Sequence, residues 1–149
     1  MSPTTRRHAG ILLLVLPAVI YGGVSILTLL IGDPAYMRNR LRQDLWRAGH
    51  AHAGVLLVLS LVALYYVEQA NLSDRLKRLV SSAIPTAAVL LPAAFFLSVL
   101  SPDATKPNPL IYLAYVGAVL LAGALVVLGV GLIRAPRDQR TGPPTGSRR

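Results

Sequence analysis

The residues that could do chemistry in the apolar part of the chain are concentrated in residues 46–54. This stretch holds two of the three histidines, His50 and His52, and the single tryptophan, Trp46. Imidazole nitrogens exchange protons near neutral pH and ligate haem iron and transition metals. Because the stretch opens a long apolar run, it predicts a candidate site near one end of a membrane-spanning helix.

The spacing of the two histidines limits what they can bind together. In an extended segment, side chains two residues apart share a face, so His50 and His52 could grip one ion. In a helix they diverge by about 200° and cannot. Metal pairs on helices are spaced i, i+4, and neither histidine has a His, Asp or Glu at that spacing. A helical segment therefore allows one imidazole to face the other spans while the second faces headgroups or a partner.

The pattern His50-Ala51-His52 at the start of an apolar helix resembles helices of membrane haem proteins, including the catalytic subunit of haem–copper oxidases. The resemblance covers about nine of 149 residues. It implies a b-type haem held by His50 or His52, with Met37 as the second axial ligand or with the haem shared between two chains. Those oxidases have many more spans and further histidines, whereas here only His8 remains. Two alternatives stay open, a purely structural role at the helix start and the binding of a substrate or proton.

The composition defines the class of protein. Hydrophobic residues make up 54% of the 149 residues and charged residues 14%, against about 25% charged in a typical soluble domain. Four apolar runs are each long enough to cross a hydrocarbon core of about 30 Å as a helix. We therefore predict an all-α, integral membrane four-helix bundle of up-down topology. Its membrane domain, 9–133, consists of spans at about 9–31, 47–70, 79–101 and 109–133.

The segment between the first two spans predicts a short amphipathic helix over residues 34–46, with a plain loop as the alternative. Asp33 and Pro34 are typical of an N-cap and a first helical position. Apolar residues then recur every fourth position, which suits a helix lying at the membrane interface. Tyr36, Trp46 and Arg47 are the expected interface anchors.

Small residues mark where helices could pack closely in lipid, since no hydrophobic drive between helices exists there. In the last span Ala114, Ala118, Ala122 and Gly129 keep close to one stripe. In the first two spans the candidates are Gly22, Gly23, Gly49 and Gly54. These positions predict packing within the bundle or against another membrane protein.

The distribution of Lys and Arg predicts the orientation. Ten of the fifteen basic residues fall on the side of the termini, which favours both termini in the cytoplasm, with residues 1–8 as a short N-terminal segment. The tail, 134–149, is basic, lacks apolar residues to bury and is predicted to be disordered. The net charge of +9 lies in loops and tails, so anionic headgroups are the expected counter-charge and nucleic acid is not.

As a whole the chain resembles the uncharacterised small four-span membrane proteins of GC-rich bacteria, which implies a bacterial inner membrane and no particular function. It has no cysteine and no phosphate-binding glycine loop, nucleophile elbow or acidic metal cluster, so we do not expect an enzyme. The leading hypothesis is a non-catalytic accessory or assembly subunit, either self-associating or part of a larger membrane complex. A haem- or metal-binding redox or sensor protein is the alternative, and a small transporter or channel subunit is the third.

Overall fold

The structure, a computed structural model, describes residues 2–135, and all its regular elements are helical. The helices are α1 (Pro3–Gly32), α2 (Pro34–Arg38), α3 (Arg40–Gln69), α4 (Asp74–Leu97) and α5 (Leu113–Ile133), with a turn of 3-10 helix at Pro109–Tyr112. Four elements are long and apolar enough to cross a membrane: α1, α3, α4 and Pro109–Ile133. The predicted all-α four-helix fold is confirmed, with the length and composition of a small multi-pass membrane protein. The predicted tail lies outside the described residues from 136 onward.

Side-chain caps set several helix boundaries. Asp33 Oδ1 accepts hydrogen bonds from the backbone N–H groups of Ala35 and Tyr36, so α2 begins where the sequence predicted. Asn39 then breaks the chain direction, and its Oδ1 accepts from Arg42 N to cap α3. The predicted amphipathic helix over 34–46 is therefore divided at Asn39. Its first five residues form the separate helix α2, and residues 40–46 form the first turns of α3. The other predicted boundaries also shift, since α1 begins at Pro3 and α4 covers Asp74–Leu97.

α4 lies at the centre of the helix packing. It packs extensively against α3 on one side and α5 on the other, while α3 and α5 barely meet. Its inward face is fully buried at Val80, Ile84, Ala87 and Ala94. This face alternates small and branched residues, which lets neighbouring helices approach closely in a solvent that gives no hydrophobic drive.

α1 is the peripheral span. Its substantial contacts with the other spans are with α3, where Leu12 packs with Leu57 and Leu64. Only 6% of the residues in the most apolar stretch of α1 are buried, against 44% in the corresponding stretch of α4. One narrow stripe therefore holds α1 to the bundle, and most of its surface faces outward.

The turn between α3 and α4 is fastened to the end of α5. Asn71 N donates to Gly131 O at 2.9 Å, and the amide of the Asn71 side chain donates to Arg134 O at 3.2 Å. Leu72 covers Gly131 so closely that a Cβ there would lie 2.6 Å from Leu72 Cγ. The missing side chain of Gly131 is what allows this contact.

Gly131→Ala is expected to destabilise the protein by about 1–3 kcal/mol, because the added methyl overlaps the branch point of Leu72. Gly123→Ala is the matched control, since a Cβ at this position of the same helix meets nothing within 4 Å. The thermal midpoint in detergent, followed by far-UV circular dichroism, should fall for the first variant and stay level or rise for the second. Equal midpoints for the two variants would contradict the contact.

Candidate functional site at the start of the second span

His50 lies between α1 and α3. It is half-buried and lines a groove of about 650 Å³ whose other lining residues are apolar or small. Its Cε1 and Nε2 atoms each lie 2.8 Å from the point where a Cβ of Gly23 would stand. Gly23 is thus the residue of α1 that makes room for the imidazole, whose Nε2 edge is turned toward α1.

His52 lies on a different side of α3. Its side chain is exposed, and its ring centroid is 5.1 Å from that of Phe95 on α4. Its Nδ1 is 2.7 Å from Ala48 O, a distance at which Nδ1 must carry the proton because a carbonyl only accepts. The helical geometry separates the two histidines as the spacing predicted.

The structure does not place the predicted haem ligands around one site. Neither His52 nor Met37 lines the groove at His50, and Met37, on α2, is 46% exposed. Among the described residues no group of three or more His, Cys, Asp or Glu side chains could hold a metal ion. A haem in the groove would rest on His50 alone, whose Nε2 would first have to turn away from Gly23.

The predicted packing glycines of the first two spans fall into two kinds. Gly23 and Gly49 are close-approach positions, and a Cβ at Gly49 would lie 2.9 Å from Phe96. A Cβ at Gly54 would have only Val19 nearby, at 3.9 Å, and a Cβ at Gly22 would meet nothing within 4 Å. Within this chain, Gly23 and Gly49 therefore permit helix contacts while Gly22 and Gly54 leave open space.

The predicted stripe of the last span divides in the same way. Ala114 packs against the buried cluster of Leu56, Ala88 and Leu91. Ala118 and Ala122 are exposed, and a Cβ at Gly129 would meet nothing within 4 Å. The buried face of α5 is formed by another set: Gly117, Ala124, Leu128 and Gly131. A role for Ala118 and Ala122 in contacts with another chain stays a prediction.

The three predicted interface anchors have different surroundings. Tyr36 is 1% exposed, and burial raises the pKa of its phenol, whose hydroxyl has no hydrogen-bond partner among the described residues. Trp46 contacts Tyr36 at 5.6 Å between ring centroids and donates from Nε1 to Phe96 O at 3.3 Å. Arg47 is exposed and forms an ion pair with Asp44 at 3.0 Å. Only Arg47 points its polar group outward as an anchor would.

Arg42 is a buried cation that the sequence analysis passed over. It is 6% exposed, and its guanidinium carbon lies 4.5 Å from the ring centroid of Trp46. Its Nε donates to Val99 O at 3.2 Å, and no carboxylate pairs with it in the part of the chain that the structure describes. Trp46 and Gly49 follow Arg42 at i+4 and i+7, so the three residues share one face of a helix. A predicted second helix that began at Arg40 would therefore have placed Arg42 on the packing face.

The comparisons with known proteins gave no match to a family model, to a curated protein or to a solved structure. Four-helix architectures serve many functions, so the fold alone indicates none of them.

Arg42→Ala is expected to destabilise the protein by about 2 kcal/mol or more, because it removes a desolvated cation–π contact and a charge-assisted hydrogen bond. Arg40→Ala, an exposed arginine two residues away, should change stability little. The measurement is the thermal midpoint in detergent, with Trp46 fluorescence as a local readout. Similar midpoints for both variants would show that Arg42 does not hold this end of the bundle together.

Proposed function

We propose that the protein is a non-catalytic membrane subunit that works by associating with other membrane helices, and first of all with a second copy of itself. The observation that carries the proposal is the unused small-residue face of α5. Ala118 and Ala122 are exposed although the same helix already packs against α4 through Gly117 and Ala124. Folding of the single chain accounts for one small-residue face of α5 and leaves the second without a role.

The surroundings of this face support close helix contact. Ala118 and Ala122 are four residues apart, the spacing at which small side chains let two backbones approach in lipid. They are bordered by Tyr115, Val119 and Val126, which are 64–74% exposed. Small residues between larger ones form a shallow groove along the helix, which the same face of a second copy can fill by a two-fold contact.

The peripheral position of α1 supports association as well. Among the described spans, α1 packs extensively only against α3. A Cβ added at Gly22 of α1 would meet nothing within 4 Å. A span with so little of its surface buried can take part in further helix packing without disturbing the central packing of α3, α4 and α5.

Leucine substitutions at Ala118 and Ala122 test the proposal. Each should weaken self-association at least severalfold, because the larger side chains hold the backbones apart. Val116→Leu is the control, because Val116 is exposed but lies on a different side of α5, and it should leave association nearly unchanged. Energy transfer between labelled copies in lipid vesicles gives the fraction associated, and circular dichroism checks that the variants fold.

Two results would contradict the proposed self-association. The first is a wild-type protein that stays monomeric in vesicles at all protein-to-lipid ratios tested. The second is association that Val116→Leu weakens as much as Ala122→Leu does. If the protein is monomeric in vesicles, its association with a larger membrane complex is tested by cross-linking in native membranes. Ala122→Leu should then remove any specific cross-link to another membrane protein.

One observation favours a second candidate, a haem- or metal-binding redox or sensor protein. His50 borders an apolar groove of about 650 Å³, and apolar surroundings with one imidazole are compatible with a haem shared between two chains. The orientation of Nε2 toward Gly23 counts against it, as does the absence of His52 and Met37 from the groove lining.

The absorption spectrum of detergent-purified protein, oxidised and reduced, tests this candidate after expression with ample haem and metal. A haem held by His50 predicts a Soret band that His50→Ala removes and His52→Ala preserves, because His52 faces α4 instead of the groove. A colourless, metal-free protein would exclude the redox function and leave association as the proposed one.

A further inference from the structure

A polar cleft opens where α1 begins, between α1, the end of α3 and the start of α4. It has a volume of about 600 Å³, and a second cavity of about 240 Å³ adjoins it. His8, Ser81 and Ser82 line both. The first cavity is bordered by charged side chains, and the second reaches Ile11, Leu12 and Pro85. Because they share His8, Ser81 and Ser82, the two cavities together lead from a charged mouth toward the apolar side chains of Ile11, Leu12 and Pro85.

His8 has a nitrogen that the fold does not use. The residue is half-buried, yet its Nδ1 is fully buried and has no hydrogen-bond partner among the described residues. A buried polar atom without a partner costs roughly 1–3 kcal/mol, so nearly all such atoms in proteins are satisfied by a protein group, water or ligand. His8 borders both cavities, so a rotation of its ring would bring Nδ1 within reach of a ligand there.

Three hydroxyl groups on the α4 side of the two cavities are also without partners, whereas the cleft hydroxyls of Ser2 and Thr5 bond to each other. Within the part of the chain that the structure describes, no hydrogen bond is made by the side-chain hydroxyls of Ser81, Ser82 and Thr86. Three other span hydroxyls donate to the carbonyl four residues back: Ser25, Thr28 and Ser60. These three α4 hydroxyls thus keep their donors and acceptors for something outside the chain.

Pro85 adds an acceptor to the same cavity. Proline has no N–H, so the carbonyl of Ser81, four residues earlier, loses its helical donor. Pro85 and Ser81 both line the smaller cavity. In lipid such a carbonyl is satisfied by a nearby hydroxyl, a water or a ligand.

The mouth of the cleft offers cations. Arg78 is exposed and has no hydrogen bond or ion pair among the described residues, while Lys77 uses one donor on Glu68 O at 3.3 Å. The Glu68 carboxylate is engaged by the backbone N–H of Ser2. Asp74 sits in the first turn of α4, where a carboxylate stabilises the positive end of the helix dipole. Asp74 also borders the cleft, but the Lys77 ammonium and the Arg78 guanidinium keep hydrogen-bond donors that an anionic group outside the chain can accept.

We propose that this cleft binds a glycerophospholipid from the surrounding membrane. Its phosphate would contact Lys77 and Arg78, and its ester groups would lie at the level of Ser81, Ser82 and His8. One acyl chain would follow the apolar path past Leu12 and Pro85. The order of groups along α4, cationic, then hydroxyl, then apolar, matches the order of groups along a lipid, and this match is what favours a lipid over a free phosphate ester.

The test is native mass spectrometry of the detergent-solubilised protein titrated with phosphatidylglycerol. Arg78→Gln should weaken lipid binding about five- to tenfold, the effect of one charge-assisted hydrogen bond. Arg75→Gln is the control, because Arg75 is an exposed cation at the same end of α4 that does not line the cleft. Equal loss in both variants would overturn the proposal, since it would indicate only general attraction of the anionic lipid to a basic surface.

A second variant tests the cleft by space instead of charge. Ser82→Leu places a larger side chain in both cavities and should abolish the bound lipid while leaving the lipid-free thermal midpoint unchanged, because Ser82 is exposed. Unaltered lipid binding by Ser82→Leu would place the lipid elsewhere. Displacement of phosphatidylglycerol by equimolar glycerol 3-phosphate would show that the site takes a small phosphate ester, which also overturns the lipid as its occupant. None of these outcomes depends on self-association through α5.

Discussion

Close packing against α4 is the interaction on which the rest of the structure depends. In lipid, burial of apolar side chains gives little drive for helix association, so stability comes from contacts that bring backbones together. The glycines that matter most meet α4 or its neighbours directly, as when Gly49 lies against Phe96 and Gly117 against Leu91. Since α3 and α5 hardly touch one another, without the packing face of α4 they would be joined mainly at the turn where Asn71 bonds to the end of α5.

The weak attachment of α1 follows from the same arrangement. The face of α4 is occupied by α3 and α5, so α1 packs mainly on α3. A helix held along one stripe leaves a gap on each side of that stripe. One gap is the groove at His50, and the other is the polar cleft at His8. Both candidate binding regions of the molecule are therefore consequences of where α1 lies, and both would change if α1 moved relative to α3.

The sequence predicted the features that are set locally. Apolar runs determine the number of spans, and the cap at Asp33 depends on a few neighbouring residues. The packing face of α5 could not be predicted, because almost every residue of this helix is apolar and periodicity cannot distinguish its faces. Arg42 and His8 were missed for a related reason. Both lie in segments predicted to precede a span, the interface helix over 34–46 and the N-terminal segment 1–8. The helices α3 and α1 begin earlier than predicted, so that Arg42 bonds to Val99 O after α4 and His8 lines a cavity beside α4.

The two ends of the bundle show how a buried polar residue that holds the fold differs from one that is free to bind. At one end, Arg42 stacks on Trp46 and bonds to Val99 O, joining α3 to the chain that follows α4. Its interactions are made within the protein, so substitution should be felt as lost stability. At the other end, His8 Nδ1 and the hydroxyl of Ser81 make no hydrogen bond within the described part of the chain. A polar group at the edge of a membrane span that makes no hydrogen bond within the protein lowers the stability of the fold. A ligand that supplies the missing hydrogen-bond partners removes this free-energy cost and gives such groups a role.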